Sequence, residues 1–277
     1  MIEPFERIAT GINGAECPVV DRAGRLFCVE PASGKVLEVG PDATLREHAN
    51  AGGIPAGLAI GPSDEIFVAD MKLGILRLGA GGGVHDVVRE FDGRPIRGCN
   101  DLSFDSHGNL YFTAPAGSND QNPIGEVFCR LLDGHVIRID QGYAFCNGIA
   151  VAADDRTLIV AETFTKKLWA FDLVRPDEAR NKRLFATLSG DHRGGPDGID
   201  FDLQGNLLAA NWGGGAIEVF DPAGRAIEKI VAPFSQPSNV HFGGADGRTL
   251  YVTEHSNNAI WRTTWKYPGM LAMRGKR

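Results

Sequence analysis

The sequence predicts an all-β fold, a six-bladed β-propeller built as one domain over residues 1–277. Three observations carry this. A strand–turn–strand phrase recurs six times, its spacing matches one four-stranded blade, and glycine is abundant (36 of 277 residues) with 15 prolines between the runs.

The first two copies read Val20-Asp-Arg-Ala-Gly-Arg-Leu-Phe-Cys-Val-Glu30 and Ile60-Gly-Pro-Ser-Asp-Glu-Ile-Phe-Val-Ala-Asp70. Phe104-Asp-Ser-His-Gly-Asn-Leu-Tyr-Phe-Thr-Ala114 and Val151-Ala-Ala-Asp-Asp-Arg-Thr-Leu-Ile-Val-Ala-Glu162 follow. The last two are Phe201-Asp-Leu-Gln-Gly-Asn-Leu-Leu-Ala-Ala-Asn211 and Phe242-Gly-Gly-Ala-Asp-Gly-Arg-Thr-Leu-Tyr-Val-Thr-Glu254. Their equivalent apolar positions, Leu26, Ile66, Leu110, Leu158, Leu207 and Leu250, lie 40, 44, 48, 49 and 43 residues apart.

A third strand follows in most copies, at Leu73–Leu78, Lys167–Asp172, Ala216–Phe220 and Ala259–Thr263. Gly74 makes the first of these the least regular. A polar, variable fourth strand completes each blade. Ile2–Ala9 is expected to close the ring as the outer strand of the last blade, which removes an exposed edge. The tail from Lys266 to Arg277 is basic. The repeated Asp21, Asp105 and Asp202, with Gly24, Gly108 and Gly205, read as hairpin chemistry: Asp bonds its own backbone and Gly supplies positive φ.

The net charge of −7 argues against a nucleic-acid backbone or an anionic membrane as partner. No apolar run approaches the roughly 20 residues that span a bilayer. The N-terminus lacks a basic segment followed by an apolar run, so no signal peptide is expected. Five cysteines without a close pair fit a reducing, cytoplasmic setting. A monomer is the default expectation.

In a propeller the innermost strands line a central channel. The residues that open those strands are Glu16, Pro55, Asn100, Asn147, Asp197 and Ser238. Four of the six are carboxylates or amides. Two carboxylates close together in a buried channel need a compensating cation. Glu16 and Asp197 balance a divalent ion, and the amides of Asn100 and Asn147 complete an all-oxygen set suited to Ca²⁺, with Mg²⁺ or Mn²⁺ as other divalent candidates. Cys17, Cys99 and Cys146 adjoin these positions, but alternation along a strand turns them toward the blade cores. His241 suits a core or a second-site role. Trp212 suits a pocket wall or inter-blade packing equally, and a lone histidine such as His255 is more often structural. The Gly79-Ala-Gly-Gly-Gly83 run opens no helix and reads as a loop.

Longer phrases then resemble a known family. Gly52-Gly-Ile-Pro-Ala-Gly57, Phe67-Val-Ala-Asp-Met71, Arg97-Gly-Cys-Asn-Asp101, Asn147-Gly-Ile-Ala-Val151, Ala210-Asn-Trp-Gly213 and Val252-Thr-Glu-His255 are similar to the senescence-marker-protein/gluconolactonase family of six-bladed propellers. The resemblance covers nearly the whole chain. It implies a catalytic calcium on Glu16, Asn100, Asn147 and Asp197. It implies a structural calcium on Asp200, His241 and the backbone carbonyl of Val240. It also implies a substrate pocket lined by Trp212, Ser238 and His255. Cys17 departs from the glycine usual in the family's Glu-Gly-Pro phrase, and the segment between Gly117 and Gly125 is shorter.

The expected function is a calcium-dependent hydrolase of a small molecule. It opens a sugar-type or related lactone, with Asp197 as base beside the metal. The resemblance implies an alternative, hydrolysis of phosphotriesters and P–F bonds with Asp197 as nucleophile. A non-enzymatic calcium-binding scaffold is the third reading.

Overall fold

A computed structural model describes residues 3–79 and 81–270. Its regular structure is six four-stranded antiparallel sheets and one short ribbon, Glu90–Phe91 with Arg94–Pro95. Blade 1 runs inner to outer through Glu16–Val20, Leu26–Glu30, Lys35–Val39 and Leu45–Asn50. The inner strands of blades 2 to 6 are Pro55–Ile60, Leu102–Phe104, Cys146–Val151, Pro196–Phe201 and Pro237–Gly243. Blade 6 takes its outermost strand from the other end of the chain: Glu6–Thr10 pairs with Ala259–Thr264, Thr10 opposite Ala259. Closure therefore uses the N-terminal segment, starting later than the sequence suggests. Ile2, the end of the tail and Ala80 of the glycine-rich loop lie outside the described residues.

The six copies of the phrase fold as expected. Asp105 Oδ1 accepts the backbone N–H of His107 and Asn109 at 2.9 and 2.8 Å, and Asp202 repeats this with Gln204 and Asn206. Gly74 does not weaken its strand. Its φ is +90°, and a Cβ there would lie 2.2 Å from the Val88 carbonyl, so the third strand of blade 2 begins where only glycine fits.

The hydrophobic core is divided into six, one cluster at each blade–blade junction. Phe27, Val29 and Val36 of blade 1 meet Leu58, Val68 and Leu76 of blade 2, and Leu208, Ile217 and Val219 of blade 5 meet Phe242, Leu250 and Val252 of blade 6. The inner strands of each sheet are thus buried between neighbouring blades, while outer strands such as Ala226–Val231 are largely exposed. All five cysteines are buried and unbonded to one another.

Candidate metal centre and active site

The channel residues sit where the inner strands lose register. In blade 4, Cys146 pairs with Glu162 and the next pair is Ile149 with Val160, so Asn147 and Gly148 together face one residue. Asp197 and Gly198 do the same in blade 5, between the pairs Pro196–Asn211 and Ile199–Ala209. Blades 1, 2 and 6 carry a shift at the same level. A bulge inserts a residue and re-aims its side chain. It recurs in five of the six blades; in blade 3, Asn100 stands just before the inner strand, its N–H donating to the Thr113 carbonyl at 2.9 Å.

This register corrects one expectation. Pro55 pairs with Asp70 as Pro196 pairs with Asn211, so the ring member of blade 2 is Ala56. The ring then reads Glu16, Ala56, Asn100, Asn147, Asp197 and Ser238. The residue after each ring member is crowded. A Cβ on Gly57, Gly148 or Gly198 would lie 2.4 Å from the Asn100 carbonyl, 2.2 Å from the Asp197 carbonyl and 2.0 Å from the Asn239 side chain.

Blade 1 places Cys17 there, with φ +43°. Among the equivalent residues Gly57, Asp101, Gly148, Gly198 and Asn239, none shares this positive φ. Cys17 packs in the core between blades 1 and 2, as expected, and its Sγ also accepts the Leu58 N–H at 3.0 Å. In blade 3 the equivalent Asp101 Oδ2 accepts the Ile149 N–H at 3.2 Å, so thiol and carboxylate do the same job of tying one blade to the next. Asp101 was not visible as a site residue from sequence. The signal for it is an acid standing where three other blades have glycine.

The electrostatics ask for a cation. Burial, then the Glu16 and Asp101 charges, push the Asp197 carboxyl far above its usual range, against a hydrogen bond donated by the Asn147 amide. Asp101 is pushed up to about 7, mainly by burial, although it accepts the Leu102 and Ile149 N–H groups. Among the described residues two imidazoles stand beside the channel carboxylates: His255 Nε2, 3.1 Å from Glu16 Oε1, and His241 Nδ1, 3.3 Å from Asp200 Oδ2. No three His, Cys, Asp or Glu side chains among the described residues group tightly enough to hold an ion alone. Glu16 and Asp197 therefore fit a metal only with further oxygen donors; the Asn147 amide adjoins Asp197, and the Asn100 amide would have to turn to the same point to complete an oxygen-only set suited to a hard divalent cation.

Three residues deeper along their strands, Asp200 and His241 form the second group. Asp200 Oδ1 accepts the N–H of Phe201 at 2.8 Å, and Oδ2 accepts that of Phe242 in blade 6 at 3.2 Å. Val240, the expected carbonyl donor, lies beside His241 on the same strand.

At the channel mouth, Trp212 and His255 each follow the second strand of their blade. Trp212 Nε1 donates to His255 Nδ1 at 3.1 Å. Nδ1 is therefore an acceptor, and the imidazole proton sits on Nε2, toward Glu16. Burial opposes charging this ring, but the neighbouring Glu16 outweighs it and the pKa is raised. Ser238 does not join them. It is fully buried, and its hydroxyl donates to the Ala15 carbonyl at 2.8 Å, with Thr253 Oγ1 2.9 Å away. It ties blade 6 to blade 1 instead of lining the pocket.

Comparison with known proteins agrees with this architecture. The model of the SMP-30/gluconolactonase/LRE-like region matches residues 14–256. Diisopropyl-fluorophosphatase of Loligo vulgaris is 40% identical over 97% of this chain and 95% of its own. Gluconolactonase of Zymomonas mobilis is 30% identical over 94% of this chain and 81% of its own. The solved structure of a gluconolactonase from Xanthomonas campestris superposes with a TM-score of 0.83 at 23% identity, covering 94% of this chain and 89% of that one. A six-bladed propeller whose sequence matches that family along almost its whole length means that the chain belongs to the SMP-30/gluconolactonase/LRE-like family of hydrolase propellers.

Proposed function

We propose that this protein is a calcium-dependent lactonase acting on a sugar-type or related lactone. The observation that carries the reading is the pair of buried channel carboxylates, Glu16 and Asp197, each within reach of the other's charge, with the Asn147 amide beside Asp197. A bound divalent ion would polarise the ester carbonyl there and acidify a water.

The chain's own groups divide the remaining work. Asp197 takes a proton from the attacking water. The water oxygen bonds to the carbonyl carbon, the ring C–O bond breaks, and the leaving alkoxide takes up a proton to give a hydroxy acid. Trp212 and His255 wall the mouth, and their mutual hydrogen bond holds the imidazole Nε2 toward Glu16.

The test is acid release from a panel of sugar and aliphatic lactones, with added calcium and after chelation. Fast ring opening that stops on chelation supports the reading. No turnover of any lactone by folded, calcium-loaded protein would overturn it. A second reading, hydrolysis of P–F and phosphotriester bonds with Asp197 attacking phosphorus directly, is favoured by the 40% identity to the fluorophosphatase. The same assay with a fluorophosphate, followed by fluoride release, separates the two.

A further inference from the structure

Thr163 has no place in the reading above, yet its hydroxyl stands at a decisive point. It follows the second strand of blade 4 (Thr157–Glu162) and is buried. Its Oγ1 donates to the Pro196 carbonyl at 2.8 Å and accepts from Asn147 Nδ2 at 3.2 Å. Pro196 precedes Asp197, so one hydroxyl touches the anchors of two ring donors.

The direction of these bonds is fixed by chemistry. A carbonyl oxygen only accepts, so the single Thr163 proton goes to Pro196. Thr163 can then only accept from Asn147, which brings the amide nitrogen to it. The amide also donates to the Asp197 carboxyl, which favours its charged form. Both amide hydrogens are thereby engaged, and Oδ1 is the one atom of the Asn147 side chain left for a cation. The flipped amide would set oxygen against a hydroxyl with no proton to give.

We propose that Thr163 is a positioning residue for the metal. It fixes the Asn147 amide so that oxygen, not nitrogen, faces the channel axis. Thr113 supports the same donor from the other side, its Oγ1 donating to the Asn147 backbone carbonyl at 2.7 Å. The proposal rests on Asn147 being a metal ligand. It adds a residue that touches neither metal nor substrate. Such outer partners of ligands typically change metal affinity by roughly 10- to 100-fold.

The experiment is calorimetric titration of the full chain with calcium alone, read at the binding step that Asn147→Ala removes. Thr163→Val should weaken that step by roughly tenfold or more, and Thr163→Ser, which keeps the hydroxyl, should restore it. Thr163 also ties two blades, so melting of the calcium-free proteins is compared alongside. The decisive background is Asn147→Asp. Both outer atoms of Asp are oxygens, so Thr163 no longer selects which one faces the axis, and adding Thr163→Val there should not weaken binding, as a double-mutant cycle reads it. An equal loss in both backgrounds would overturn the proposal, because the effect would then travel through the Pro196 tie. Wild-type affinity in Thr163→Val would overturn it too. If Asn147→Ala removes no binding step, the ligand assignment falls and the proposal with it.

Discussion

The channel holds two polar levels on the same strands, and they differ in where their lone pairs go. At the upper level, Asp197 receives one hydrogen bond, from an amide, and sits beside Glu16 and Asp101. At the lower level, both Asp200 oxygens are engaged by backbone N–H groups of blades 5 and 6, and His241 stands 3.3 Å away. Three residues of separation thus divide an under-satisfied carboxylate from one built into the frame. The first arrangement suits chemistry at an open mouth, and the second suits holding two blades together.

The sharpest way to break this comparison is to neutralise each acid in turn. Asp197→Asn is expected to lower kcat by about a thousandfold or more, as loss of a reacting group does, with little change in melting temperature. Asp200→Asn should do the reverse. It weakens two charge-assisted hydrogen bonds to blade backbones, at about 1.5–3 kcal/mol each. The expected cost of about 3 kcal/mol corresponds to a fall of roughly 6–12 °C in Tm for a chain of this size. Steady-state rates and thermal melts of both variants decide the matter. A dead but unchanged-melting Asp200→Asn, or an active Asp197→Asn, would show that the two levels do not divide their work in this way.

The fold was legible because a propeller repeats its evidence. Six copies of a hairpin carrying Asp, Gly or both, and six apolar second strands, cannot arise from one misleading segment. The ring positions were legible for the same reason, since Glu16, Asn100, Asn147 and Asp197 open equivalent phrases. What sequence could not show was register. Pro55 looks like the ring member of blade 2 because it opens the strand, yet the bulge passes that place to Ala56. Ser238 has the right position and polarity, but its hydroxyl turns to Ala15 across the blade junction. Thr163 and Asp101 stayed hidden because their partners lie 33 and 48 residues away, in neighbouring blades. Hydrogen bonds between blades leave no local pattern to read.

The smallest effect concerns the upper level's own frame, where blades 1 and 3 use different groups for one task. Cys17 Sγ accepts the Leu58 N–H as Asp101 Oδ2 accepts that of Ile149, but the cysteine does so from a left-handed backbone. Two opposed terms follow. Removing the thiol leaves a buried amide without its partner, at a cost of about 1–3 kcal/mol. Glycine at positive φ relieves about 1 kcal/mol of backbone strain that alanine retains. Cys17→Ala should therefore unfold more easily than wild type in urea, and Cys17→Gly should recover about 1 kcal/mol of the difference. If the alanine variant matched wild type, the sulfur would be filling space, and the equivalence with Asp101 would be one of position alone. If glycine fell below alanine, the left-handed turn at Glu16 would be held by the surrounding bulge at no strain. The family's usual glycine would then have to be explained by the crowding that Gly57, Gly148 and Gly198 show at the same level of their own blades.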